Sequence, residues 1–145
     1  NSEGDPQIKA RIRQTQRQMS QRRMMQDVPD ADVIVTNPTH YSVALKYDTE
    51  RAGAPIVLAK GVDEMAMQIR KIAKGNEVPI VESPMLTRAL YHTAEIGQQI
   101  PDQLFTAVAQ VLAYVFQLKR FKKGRGKRPI PLKSKLPIPD DFKYD

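Results

Sequence analysis

A chain of 145 residues with no cysteine and a net charge of +7 is long enough to bury one core. It excludes a disulfide framework and a thiolate metal site, and it permits a reducing compartment. No apolar run approaches the roughly 18 residues that cross a bilayer, and the first residues lack the apolar region of a secretory signal, so the chain as written reads as soluble.

Charge is divided unevenly. Residues 1–28 carry net +3, residues 29–118 net −3 and residues 119–145 net +7. Positive charge therefore lies in two flanks, which suits a domain with basic arms better than one with a basic binding face.

The spacing predicts a helix from Pro6 to about Gln26, with Asp5 as cap and Pro6 at its first position. Ile8, Ile12, Met19 and Met24 give it only a thin apolar stripe. A helix with so little apolar surface needs support at one end, and it reads as a connector. Strands are expected at Val33–Thr36, Tyr41–Tyr47 and, after a Gly53-Ala54-Pro55 turn, Ile56–Ala59. A helix follows through Val62, Met65, Ala66, Ile69, Ile72 and Ala73, with Asp63 and Glu64 in its first turn and Gly75 at its end.

Pro79–Val81 reads as a fourth strand. Ser83-Pro84 opens a helix to about Ala94, and Pro101-Asp102 opens a last one to about Arg120. The expected fold is α/β: a small four-stranded mixed sheet surrounded by about four helices, with a long N-terminal connector helix and an extended C-terminal tail. Three regions result: the connector over 1–28, an α/β core over 29–120, and a basic, Pro-rich flexible tail over 121–145. Polyproline character is expected at Pro129–Pro131 and Pro137–Pro139.

Between the first two strands stands Asn37-Pro38-Thr39-His40. Asn then Pro suits a β-turn, and for a random Asn-Pro nothing more needs explaining. Proline also removes a chemical path. Asn ordinarily ages when the next backbone nitrogen attacks its side chain, and Pro38 has no N–H. The reverse attack stays open, in which the Asn37 side-chain nitrogen attacks its own carbonyl, a succinimide forms and the Asn37–Pro38 bond breaks. A turn holding both groups in position supplies part of the barrier. His40 is a suitable base, and Thr39 can donate a hydrogen bond or fix the turn.

The stretches "VIVTNPTHYSVALKYD", "GAPIVLAKG", "VPIVESPMLTRALY" and "EIGQQIPDQLFTAVAQVLAYVFQLKR" resemble, colinearly from Gly4 to Arg120, the cytoplasmic domain of the FlhB/YscU family. These are the autocleaving specificity-switch proteins of type III secretion. "EIGQQIP" and "ALKYD" lean toward the flagellar branch. The resemblance implies that Asn37 is the self-cleaving residue and that Pro38, Thr39 and His40 complete its motif. It implies a single-turnover self-cleavage with no cofactor, permitting a change of exported substrate from rod and hook to filament subunits. It further implies four preceding transmembrane helices, a place at the cytoplasmic face of the bacterial inner membrane, and other export-apparatus components as partners.

The last helix is apolar at nearly every position from Leu104 to Leu118, so it is expected to be covered over most of its surface, with a shallow groove beside Ala109 and Ala113. Ala54, Pro55, Ala109 and Leu112 are the candidate contacts for an export-substrate segment. The basic flanks lack interleaved aromatics and any nucleic-acid motif, so nucleic acid is not expected. Anionic lipid suits them better, with Arg11, Arg13, Arg17, Arg22 and Arg23 nearest a bilayer. A basic nucleic-acid or lipid-binding module with NPTH as a mere turn is the alternative, and a hydrolase the least favoured. His92 reads as a partly exposed surface residue, and two histidines without cysteine give no metal site.

Overall fold

Asp5 opens the first helix, α1 (Pro6–Asp27), by accepting a 2.9 Å hydrogen bond from the Gln7 amide, with Pro6 in the first turn. In the computed structural model, which describes residues 5–50, 53–132 and 135–144, α1 stands in solvent along most of its length. Only Met24 is buried and Met25 half-buried, both at its C-terminal end. This is the one-ended support that the thin apolar stripe demands. Residues 1–4 of the connector and 133, 134 and 145 of the tail lie outside the described residues.

The core elements follow as β1 (Val33–Asn37), β2 (Tyr41–Asp48), β3 (Ala54–Val62), α2 (Glu64–Gly75), β4 (Ile80–Glu82), α3 (Pro84–Thr93) and α4 (Phe105–Lys122). The sheet order is β3-β2-β1-β4. β1 runs antiparallel to β2 and parallel to β4, and β2 pairs antiparallel with β3. This is the four-stranded mixed sheet with four helices that the patterning implies. β1 alternates between faces. Val33 and Val35 join one core with Val43, Leu45, Val57 and residues of α3 and α4. Ile34 joins another with Ala44, Ala59, Ile69 and Ala73 of α2, and with Met24 and Val28. The central strand is thus buried on both faces and paired on both edges.

β3 is longer than expected at both ends. The ladder with β2 runs from Asp48↔Ala54 to Tyr41↔Val62, so cross-strand hydrogen bonding recruits residues that look locally like a turn and a helix start. Val62 therefore ends a strand, and α2 begins two residues later. Gly61 makes this junction possible. A Cβ there would lie 2.6 Å from the Cβ of Met65, so any side chain would push α2 off the strand. Ser83 stands at the start of α3 as expected, yet its hydroxyl makes no capping bond, and Pro84 holds the first helical position.

α4 is not covered all round. Ala107, Val108, Val111, Leu112 and Val115 are buried, while Thr106, Ala109, Ala113 and Gln117 form an exposed face. Its apolar excess is resolved by small residues, which expose little apolar area. The tail also departs from a free, flexible segment. Pro129 is buried. Ile138 is buried in the core formed with α3 and α4, and Leu132, Leu136 and Phe142 pack against it. Periodicity reveals a helix stripe but not isolated apolar residues of an irregular strap, which dock one at a time.

Candidate functional site: the hairpin turn

The β1–β2 hairpin carries Asn37 at the end of β1, half-buried, and exposes Pro38, Thr39 and His40. The His40 amide donates to the Asn37 carbonyl oxygen at 3.0 Å. Thr39 has φ +71°. Proline at the second position and a positive φ at the third define a type II turn, whose third position is ordinarily glycine. A β-branched residue there is strained by about 1–3 kcal/mol.

The loop is held from a second side. The Asp63 amide donates to the His40 carbonyl oxygen at 2.9 Å, and the Asp63 carboxylate lies 3.7 Å from His40 Nδ1. Both side chains are largely solvated, so their pairing is weak in energy. Asp63 caps α2 at φ +51°, ψ −111°, another conformation that L-residues avoid. Sequence reading treats Asp63 only as a helix-start carboxylate. Its neighbour becomes visible once Tyr41 is registered opposite Val62 across β2 and β3.

Behind the turn lies an aromatic group. Tyr41 is 4.9 Å from Tyr91 and 5.9 Å from His92 between ring centroids, and His92 stacks on Tyr144 of the tail at 4.6 Å. Lys60 Nζ donates to the carbonyls of Tyr91 and Ala94 at 2.9 and 2.8 Å, closing the end of α3. His92 is exposed, but it belongs to this cluster rather than to open surface.

The four candidate docking residues are not one surface. Ala54, Pro55 and Leu112 are buried, and only Ala109 is exposed. Pairing of β3 with β2 takes in Ala54 and Pro55, and the Pro55 carbonyl accepts a hydrogen bond from the Ile100 amide. A side chain already covered by its own chain offers a partner little area. Among the described residues no group of histidine, aspartate and glutamate is arranged to hold a metal ion, and no helix is long and apolar enough to cross a membrane.

The model of a family described as FlhB HrpN YscU SpaS matches residues 1–115. The flagellar biosynthetic protein FlhB of Salmonella typhimurium is 60% identical over 143 residues, which cover 99% of this chain and 37% of that protein. FlhB of Bacillus subtilis is 57% identical over 119 residues, 82% of this chain and 33% of that protein. The chain thus spans little more than a third of these relatives. The crystal structure of the cytoplasmic domain of FlhB from Shewanella putrefaciens superposes with a TM-score of 0.82 at 60% identity, covering 86% of this chain and 95% of that one. The C-terminal domain of EscU, carrying a mutation, matches at 33% identity with a TM-score of 0.60, over 63% of this chain and 98% of that one.

Proposed function

The chain belongs to the FlhB HrpN YscU SpaS family, and from that premise we propose that it is the cytoplasmic part of a flagellar export-gate protein that cuts itself between Asn37 and Pro38. The Asn37 side-chain nitrogen attacks the Asn37 carbonyl carbon. The new C–N bond closes a succinimide as the bond to Pro38 breaks. One amide proton leaves the attacking nitrogen for a base and reaches the Pro38 nitrogen, which departs as a secondary amine. His40 serves as that base, and the reaction occurs once per chain with no cofactor.

The observation that carries this reading is the hydrogen bond from the His40 amide to the Asn37 carbonyl oxygen. It points at the atom on which negative charge develops in the attack, as an oxyanion donor does. The strained φ of Thr39 favours products, because a cut chain lets Pro38 and Thr39 relax. β1 stays clamped between β2 and β4, so the two pieces remain one fold while the loop surface changes. That local change permits the switch from rod and hook to filament subunits, at the cytoplasmic face of the inner membrane and in contact with other export components. The exposed arginines of α1, which has no acidic residue between Pro6 and Gln26, suit an anionic lipid surface there.

Intact mass spectrometry under denaturing conditions tests the cleavage. Fragments 1–37 and 38–145 are expected from the unmodified chain and none from Asn37→Ala. A single full-length species after prolonged incubation of the unmodified chain would overturn the reading.

A further inference from the structure

Among the described residues, three other than glycine adopt a positive φ: Thr39, Asp63 and Glu77. Glu77 follows the end of α2, where a left-handed residue is an ordinary way to stop a helix. The other two flank one side chain, that of His40. Thr39 precedes it in the turn, and Asp63 meets it across the β2–β3 ladder by a backbone hydrogen bond and by its carboxylate. An avoided conformation that glycine would relieve, kept where a carboxylate faces an imidazole, points to a task for that carboxylate.

Building on the cleavage reading above, we infer that Asp63 is a positioning residue for the self-cleavage, holding the His40 ring with Nδ1 toward its carboxylate so that Nε2 is left to take the proton from the Asn37 amide. The separation of 3.7 Å is longer than a hydrogen bond, so the carboxylate acts through charge and orientation. An Nδ1–H directed toward it leaves the lone pair on Nε2, the other ring nitrogen. The Asp63 backbone is held from both sides. Gly61 lets α2 sit against β3, and the Met67 amide donates to the Asp63 carbonyl oxygen at 2.9 Å as the first bond of the helix. His40 Nε2 then passes the proton to the Pro38 nitrogen as the peptide bond breaks, and the imidazole is regenerated neutral.

A double-mutant cycle on the full chain, pulse-synthesised in a cell-free system and quenched into denaturant, tests this role. Asp63→Asn keeps the shape and removes the charge. It is expected to slow fragment formation by about five-fold, the scale of a solvated ion pair. In a His40→Ala background the same change is expected to alter the rate by less than about two-fold, because the two residues act as a unit. Asp63→Gly accepts the backbone conformation without strain, and it is expected to slow cleavage as Asp63→Asn does. In the non-cleaving Asn37→Ala chain, ring 15N spectra of the two histidines are expected to change at His40 and not at His92 when Asp63→Asn is added. Parental rates in both Asp63 variants, or equal slowing with and without His40, would overturn the positioning role while leaving self-cleavage intact. Absence of any fragment from the unmodified chain would overturn both.

Discussion

The amide of His40 donates to the carbonyl oxygen of Asn37 at 3.0 Å, so the bond that closes the hairpin turn also polarises the carbonyl at which the proposed self-cleavage takes place. His40→Pro removes this donor, whereas His40→Ala removes only the imidazole. Loss of an oxyanion donor costs on the order of 100-fold in rate. Fragment formation is expected to fall further in His40→Pro than in His40→Ala, with circular dichroism checking that both variants fold. Equal rates would show that the donor contributes nothing.

Thr39 at φ +71° is a β-branched residue in glycine's place. Glycine loses roughly 0.5–1 kcal/mol in chain entropy, and the strain relieved is about 1–3 kcal/mol, so relief wins. In the non-cleaving Asn37→Ala background, Thr39→Gly is expected to stabilise the fold by about 1 kcal/mol, read from the denaturant midpoint. In the parent it is expected to slow cleavage, because the product no longer gains that relief.

Ile34 is fully buried on a strand paired at both edges. Ile34→Ala is expected to cost about 2–5 kcal/mol. If the chain is cut, that loss falls on the contact between fragments 1–37 and 38–145. Size-exclusion chromatography in mild denaturant then separates them at a lower concentration than in the parent.

Ile138 is buried although the tail around it is irregular. Ile138→Ala is expected to lower stability by about 2 kcal/mol, at the lower end of such truncations because the strap can settle into the space left. Deleting residues 129–145 is expected to do more and to raise binding of a hydrophobic dye. A midpoint unchanged by both would mean that the tail does not hold the fold.

In the tail the Lys143 ammonium donates to the Asp140 carboxylate at 2.9 Å. That hydrogen bond first, and the lysine charge second, hold the Asp140 pKa below the ordinary carboxylate value. The folded value lies below the unfolded one, so the contribution is present above the ordinary value and is lost as pH falls through the lowered value. Both groups are solvated, and the effect is therefore read as a carboxyl 13C titration. Lys143→Ala is expected to move the Asp140 midpoint upward, and an unmoved midpoint would remove the pairing.

Much of the fold is legible in order and position because its signals are local. The i, i+3, i+4 spacing through Ala66, Ile69 and Ala73, the Asp5-Pro6 start and the hairpin around Asn37-Pro38 each follow from a few adjacent residues. Ala54, Pro55 and Val62 are misread for the same reason. Their neighbours suggest turns and helix starts, while the ladder from Asp48↔Ala54 to Tyr41↔Val62 binds them as strand. Of the candidate docking residues Ala54, Pro55, Ala109 and Leu112, only Ala109 is exposed, because burial is a property of what packs on a residue.

The amino-acid order alone determined that Asn37 precedes an N–H-less Pro38 between two strand-forming runs, and with it the chemistry open to that bond. Only tertiary structure decided that Asp63 faces His40, that β1 lies between β2 and β4, and that the tail seats Ile138 in the core and stacks Tyr144 on His92. The cleavage proposed at Asn37 and Pro38 rests on covalent neighbours, which sequence states directly. The surroundings of that bond are set by segments joined through sheet register, and register is a choice among distant pairings that no local pattern makes.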